Sequence, residues 1–162
     1  MGTRSGDLDP SVVTYMMKKM KLNPDEMENV LNKQSGAYGI SMVSVDFRDI
    51  EIEAQAGGTH AQLALDIYHY LTASYVAKCA VAMGGIDVLT FTAGVGEKGP
   101  ISRKAICDQL EFFGVKIDDE KNKIRGEEVE ISAEDSKVKV YVIPTNEELM
   151  IARGLRDVLS NP

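Results

Sequence analysis

The sequence has no tryptophan and only two cysteines among its 162 residues. Cys79 and Cys107 form no C-x-x-C pair, so we expect neither a zinc nor a redox motif, and reduced thiols are the default. No apolar run reaches the length that a membrane-spanning helix needs. The opening residues MGTRSGDLDP contain no apolar signal segment. A cytoplasmic location without a membrane partner is therefore the expectation.

Positive charge is also scarce. The chain has 18 Lys and Arg against 25 Asp and Glu, a net charge of −7, which argues against a nucleic-acid partner. An acidic chain can still bind ATP, because local geometry and Mg²⁺ outweigh a diffuse charge. With 44% apolar residues, the chain is expected to fold as one ordinary domain or as part of a larger one.

Helix signals dominate the first half of the sequence. Asp9 is placed to cap a helix over residues 10–21, and Asn23-Pro24 opens a second helix that Gly36 is predicted to end. Residues 37–50 alternate weakly between apolar and polar, which makes them a weak strand candidate.

Residues 60–83 are the longest periodic segment and predict a long amphipathic helix that Gly84-Gly85 closes. The side chains that share the predicted apolar side are Leu63, Ile67, Leu71, Tyr75, Val76, Cys79 and Met83.

The second half of the sequence predicts two successive units, each made of a strand, a loop and a helix. Residues 86–92 predict a strand covered on both faces, and a helix is expected over 100–113. Residues 137–143 predict another strand. Thr145 and Glu148 form a predicted capping box that opens a last helix. This order is typical of α/β proteins, and so few strands predict a sheet domain that lacks its first strands.

The stretch VLTFTAGVGEKGP contains a glycine-rich loop, Gly94–Gly99, that fits the G-x-G-x-x-G pattern of dinucleotide-binding folds. In that fingerprint the helix begins within the motif, whereas Pro100 predicts a helix that begins after the last glycine. The NAD interpretation therefore fits poorly. A turn between strand and helix is the plain alternative, and GK[ST] is absent, so the loop is no Walker A motif.

A second polar loop, Pro144–Glu148, also follows a strand. Because open α/β sheets bind ligands at the carboxyl ends of their strands, the two loops are expected to flank one crevice. Glu147 is then a candidate Mg²⁺ ligand. The alternative is that Glu147 and Glu148 only stabilise the positive end of the helix.

Two further clusters could bind a nucleotide. Arg4 lies among small residues and could approach a phosphate, or it could belong to a frayed terminus. Asp46-Phe47-Arg48 could grip a nucleoside by hydrogen bonds and stacking, or form a surface turn with a buried Phe. His60 and His69 are not spaced to share a metal.

Taken in order, several stretches resemble the acetate kinase family, which comprises acetate and propionate kinases. They run from the first residue to about Arg153 and are MGTRSGDLDP, NKQSGAYGIS, DFRD, FTAGVGE, GVKIDDEKN and VIPTNEELMIAR.

The resemblance implies an α/β, three-layer, RNase H-like domain of the actin, hexokinase and Hsp70 type (ASKHA). It implies that residues 1–162 are part of the C-terminal nucleotide-binding domain, without its first strands and without the N-terminal domain. The family transfers the γ-phosphoryl group of ATP to acetate with Mg²⁺ and dimerises through its C-terminal domains. Its other catalytic residues would precede Met1, so this chain alone is expected to be inactive.

The resemblance also assigns roles to individual residues. Arg4 would stabilise the phosphoryl group in transfer, and Glu147 would serve Mg²⁺. The ATP or ADP contacts would come from Asp46, Phe47, Arg48, Gly94, Val95, Gly96, Glu97 and Lys98. The family usually has Asn where Lys98 stands, so a side-chain contact there would not carry over.

Two other functions remain open at this point. One is a small NAD-binding module carried by the glycine motif alone. The other is a non-catalytic dimerisation domain, in which the helix over 60–83 or a neighbouring face is the interface.

Overall fold

The computed structural model describes residues 1–160. The chain divides into two compact units, Met1–Tyr75 and a second unit that begins at Val76. In residues 1–160, no helix combines the length and the apolar character that crossing a bilayer requires.

The first unit is helical throughout. Its helices are α1 Pro10–Met20, α2 Pro24–Lys33, α3 Gly36–Ser41, α4 Phe47–Gln55 and the first part of α5, Thr59–Met83. The weak strand expected over 37–50 is therefore wrong, since α3 and the start of α4 occupy it.

Short-range capping explains where these helices begin. The carboxylate of Asp9 accepts the Ser11 amide, as predicted, and Asn23 forms a reciprocal capping box with Glu26 at the start of α2. Gly36 does not end α2, which stops at Lys33. Gly36 instead opens α3 with a positive φ of 60°, a conformation that favours glycine.

The core of the first unit forms between α3, α4 and α5. Ile50 is fully buried, and the residues that cluster with it are Ala37, Ala61, Ala64 and Leu65. The predicted buried side of α5 was wrong, because Leu63, Leu71 and Tyr75 are exposed. The small alanines face the core instead, since a side chain without bulk lets neighbouring backbones approach closely.

The second unit contains all the strands described in residues 1–160. Along the chain its elements are β1 Val88–Phe91, α6 Ala93–Lys98, α7 Pro100–Asp108, 3-10 turns at Glu111–Phe113 and Lys121–Lys123, β2 Val129–Glu130, β3 Lys139–Val142 and α8 Glu147–Ser160.

The three strands form a small mixed sheet in the order β1-β3-β2. β1 runs parallel to β3, with Phe91 opposite Val142, and β2 runs antiparallel to it. Val140 and Val142 are fully buried, so β3 is the centre of the core. The strands predicted over 86–92 and 137–143 are confirmed as β1 and β3. Val88, however, is 55% exposed, so β1 is not covered along both faces.

Three local predictions in this unit need correction. The helix expected over 100–113 ends at Asp108, and Gly114 ends a following 3-10 turn instead. The glycine-rich stretch, predicted as a loop, is largely helical, since α6 spans Ala93–Lys98. The cap of α8 is Asn146, whose Oδ1 accepts the Leu149 amide at 3.0 Å, and not Thr145.

Candidate functional site

The carboxyl ends of β1 and β3 lie side by side. Because the two strands are parallel neighbours, the segments that follow them start at the same edge of the sheet. The Ile143 amide also donates to the Phe91 carbonyl oxygen at 2.9 Å, one residue beyond the paired strands. The predicted adjacency of the two strand-to-helix segments is therefore confirmed.

Helix α6 carries the glycine motif at this edge. Ala93 opens it with φ of 58°, which is uncommon for a residue with a Cβ. A Cβ on Gly96 would lie 3.3 Å from the Phe91 carbonyl carbon, so Gly96 allows α6 to pack on β1. A Cβ on Gly94 would meet no atom within 4 Å. Packing therefore explains the glycine at 96 but not the exposed one at 94.

Glu97 joins the two segments. Its Oε1 accepts the Thr145 amide at 2.9 Å and the Thr145 hydroxyl at 3.0 Å, and the residue is buried. These bonds, first that from the Thr145 amide, hold the pKa of the Glu97 carboxyl below its usual value. Val95 is half-buried and Lys98 is exposed.

A buried arginine that the sequence did not single out supports α6 from the other side. Arg103 of α7 has no exposed surface, and its Nη1 donates to the carbonyl oxygens of Gly96 and Glu97 at 2.8 and 3.0 Å. The sequence did carry a signal for this residue. Arg103 is spaced three and four positions from Ile106 and Cys107, with which it shares the buried face of α7. A charge on a buried helix face indicates a dedicated set of acceptors.

Glu147 is the first residue of α8 and is exposed. Within residues 1–160, no three His, Cys, Asp or Glu side chains are grouped so that they could hold a metal ion. Mg²⁺ usually keeps several waters and takes one or two carboxylates together with phosphate oxygens. A single exposed carboxylate such as Glu147 is compatible with that mode of binding.

Arg4 lies in the first unit, on a segment that is fastened by its backbone. The carbonyl oxygens of Met1 and Gly2 accept the amides of Ala37 and Tyr38 at 3.0 and 2.9 Å. The alternative of a frayed terminus is therefore wrong. Arg4 lines a cavity of about 650 Å³ within the same unit.

Asp46, Phe47 and Arg48 form the start of α4. Asp46 caps the helix and accepts both the amide and the side chain of Arg48, with Nε at 3.0 and 3.1 Å from the two carboxylate oxygens. The guanidinium lowers the pKa of Asp46 to about 2. Phe47 is half-buried, and its ring centroid lies 4.5 Å from that of Tyr68. These three residues do not line the cavity.

The two histidines play no part in either cluster. His60 is exposed, whereas His69 is buried in α5 with its ring edge-on to Tyr68. Burial lowers the pKa of His69, so its neutral form is favoured.

The strands and the segments that follow them indicate the class of protein to which this chain belongs. Parallel strands that each lead into a helix, with polar groups gathered at their carboxyl edge, are typical of α/β ligand-binding domains. The chain belongs to the acetokinase family, whose model matches residues 1–153.

Curated proteins similar to this chain include acetate kinases. An acetate kinase of Clostridium botulinum is 52% identical over 158 residues, which is 98% of this chain and 40% of the relative. An acetate kinase of Alkaliphilus metalliredigens is 50% identical over 159 residues, with the same coverage. The chain thus spans about 40% of the length of the curated relatives it matches.

Solved structures agree with the sequence relatives. The Porphyromonas gingivalis acetate kinase superposes with a TM-score of 0.92 at 45% identity, over 98% of this chain and 40% of that one. A propionate kinase from Francisella tularensis superposes with a TM-score of 0.86 at 39% identity, over 94% and 38%. The predicted family and fold class, part of an ASKHA-type α/β domain, are confirmed.

Proposed function

We propose that this chain is the C-terminal, nucleotide-binding part of an ATP-dependent phosphotransferase that acts on a small carboxylate. The reaction would transfer the γ-phosphoryl group of ATP to acetate or propionate and release ADP and an acyl phosphate. The observation that carries the proposal is the Glu97–Thr145 link at the carboxyl edge of the sheet, in a chain of the acetokinase family.

The nucleotide contacts would come from two places. Gly94, Val95, Gly96 and Lys98 would present the surface of α6, and the exposed Gly94, which packing does not explain, supports a close approach of a ligand to the backbone. The cluster Asp46–Arg48 would contact the nucleoside. There the Asp46 carboxylate holds the Arg48 guanidinium in one orientation.

The phosphate end would be served by Glu147 and Arg4. Bound Mg²⁺ supplies neutralisation of the charge on the β- and γ-phosphates. Glu147 would hold it through one carboxylate, and the planar guanidinium of Arg4 would stabilise the phosphoryl group in transfer. The fastened backbone of residues 1–5 supports such a role, because a positioned donor needs a positioned chain.

The wider setting follows from the same proposal. Residues 1–162 would form part of one nucleotide-binding domain in a larger cytoplasmic protein that pairs as a homodimer, without nucleic-acid or membrane partners. Both cysteines, Cys79 and Cys107, are free thiols, which supports a reducing compartment.

Titration calorimetry with the purified chain tests the proposal. We expect Mg²⁺-ADP to bind more tightly than NADH, and Arg48→Ala and Glu147→Ala to weaken Mg²⁺-ADP. Glu128→Ala, which removes an exposed carboxylate of the same unit, is the matched control and should bind as the parent does. Binding of NADH with equal or greater affinity would refute the proposal.

An NAD-binding module is the second candidate, and one observation favours it. Helix α6 begins at Ala93, one residue before the first glycine of the motif, so the motif lies in a helix that directly follows the strand segment, as in a dinucleotide fingerprint. The objection that the helix starts too late is thus removed. The same titration separates the candidates, because an NAD module has no need of Mg²⁺ or of Glu147.

A further inference from the structure

Glu97 is the last residue but one of the glycine-rich helix α6, and its side chain turns inward. The residue is only 8% exposed, and the carboxylate is occupied by the amide and hydroxyl of Thr145. Both bonds end on Oε1, so one carboxylate oxygen is already committed to a contact within the chain. This contact accounts for an acid at this position without a ligand.

The main chain of Glu97 is held as firmly as its side chain. Its carbonyl oxygen accepts Arg103 Nη1 at 3.0 Å and the Gly126 amide at 3.1 Å. These bonds tie the main chain of Glu97 to α7 and to the loop at Gly126, so the carboxylate extends from a tethered backbone. What it supports is Thr145, which lies 48 positions further along the chain.

Thr145 stands two residues before Glu147, the first residue of α8. The segment between β3 and α8 has few other anchors. Asn146 caps α8 through the Leu149 amide, and this contact orients the helix start internally without tying it to α6. Within the described residues, the hydrogen bonds between α6 and this segment are those that Thr145 donates to Glu97.

We propose that Glu97 is a positioning residue that fixes the start of α8, and with it Glu147, relative to the glycine-rich helix α6. The inference rests on the proposed function, because it gives Glu147 its meaning as a Mg²⁺ ligand. The backbone amide and the side-chain hydroxyl of Thr145 both donate charge-assisted bonds to the Glu97 carboxylate, which holds Thr145 at two points. The groups that orient a metal ligand commonly matter for metal affinity almost as much as the ligand itself.

The test compares Glu97→Gln and Thr145→Val with the parent chain and with the control Glu128→Gln. Glu97→Gln keeps shape and size but removes the charge, and Thr145→Val removes the hydroxyl while it keeps the amide. The first measurement is amide hydrogen exchange without ligand. We expect faster exchange at Thr145 in Glu97→Gln, with Val140 in the sheet unchanged.

The second measurement is the affinity for ADP with and without Mg²⁺. Glu97→Gln should leave the affinity for metal-free ADP within about twofold and reduce the enhancement by Mg²⁺ about tenfold, the loss typical of groups that orient a metal ligand. Thr145→Val should show a smaller loss in the same direction. A residue that serves stability alone would lower the affinities for ADP with and without Mg²⁺ together. A loss confined to the Mg²⁺ enhancement therefore distinguishes a positioning role.

Unchanged exchange at Thr145 in Glu97→Gln would overturn the inference, and so would an undiminished Mg²⁺ enhancement. If Glu97→Gln raises exchange throughout the sheet, including Val140, Thr145→Val decides by the same two readouts. If the parent chain binds no nucleotide while Glu97→Gln frees the Thr145 amide, the proposed function fails and the positioning link stands.

Discussion

At the scale of single residues, Arg103 shows how a buried charge can hold the glycine-rich helix α6 in place. Its guanidinium donates to the side chain of Asn122 and to four carbonyl oxygens, those of Gly96, Glu97, Asn122 and Ile124. Helix carbonyls at a carboxyl terminus have no partner within the helix. Arg103 supplies partners for the end of α6 and joins α6 to the turn at Lys121–Lys123.

Arg103→Met should destabilise the second unit by about 3 kcal/mol, because it leaves these buried oxygens without donors. A urea titration followed by circular dichroism measures the loss. Lys104→Met is the matched control on the same helix, where an exposed ion pair with Asp108 is removed, and it should cost less than about 0.5 kcal/mol. Equal losses in the two variants would contradict the role given to Arg103.

Asp46 offers a test by titration. Its pKa in the folded chain is about 2, chiefly because Arg48 donates to it, and this lies below the unfolded value of about 3.9. The contact therefore stabilises the folded state above the unfolded pKa and is lost as the pH falls through about 2.

Carboxyl-carbon NMR should find the Asp46 midpoint near that low value, and Arg48→Ala should raise it toward that of an ordinary aspartate. Arg125→Ala, which removes an arginine of the second unit, should leave the midpoint where it is. A midpoint in the parent chain that already matches a free aspartate would show that the Asp46–Arg48 fork is not formed in solution.

At the scale of elements, the start of α3 holds the segment that carries Arg4. A Cβ on Gly36 would lie 2.6 Å from the Met1 carbonyl oxygen and 2.8 Å from those of Gly2 and Arg4. Three carbonyls thus converge where only hydrogen fits, at a residue with positive φ. The position of Arg4 depends on this glycine, although the two residues lie 32 positions apart in the sequence.

Gly36→Ala should cost about 2 kcal/mol through this clash and the strained backbone. Amide exchange at Ala37 and Tyr38, which donate to the displaced segment, should rise most. Gly2→Ala is the control within the same segment, because its Cβ would meet no atom within 4 Å. If both variants exchange like the parent chain, the fastening of Arg4 by Gly36 is refuted.

How much the sequence predicted follows from the range of the interaction. The caps at Asp9 and Asn23 were predicted because each involves residues within three positions of one another. The spacing of Thr145 and Glu148 matches a capping box, which predicts Thr145 as the cap of α8. Its actual partner, Glu97, lies 48 positions away, and no local rule could choose between them.

The same reasoning explains the larger errors. Pro100 does open α7, as predicted, but the glycines before it lie in a further helix, α6. Helix propensity disfavours glycine within a helix, whereas here the close packing of Gly96 on β1 favours it. Helix α5 carries large apolar side chains all round, so periodicity could not tell which side the core would cover. The family was predicted correctly, because its sequence motifs are recognised from the order of their residues. That recognition does not require the helix boundaries or the buried side of a helix to be known.

At the scale of the whole molecule, α8 is the element whose stability is least explained by this chain. None of its residues is buried, although isolated helices of this length are marginal in water. Its exposed large apolar side chains are Leu149, Met150, Ile151, Leu155, Val158 and Leu159. An apolar face of this kind favours association.

We therefore expect the purified chain to associate with itself through α8. Light scattering at high micromolar concentration should give a mass above the 17.7 kDa of one chain. The double change Ile151→Lys and Leu155→Lys should return it to that mass, because charge on the apolar face opposes contact between copies. Val81→Lys, which adds charge to an exposed apolar position on α5, should leave the association intact. A monomer in the parent chain would refute the prediction, and dissociation by Val81→Lys alone would move the interface from α8 to α5.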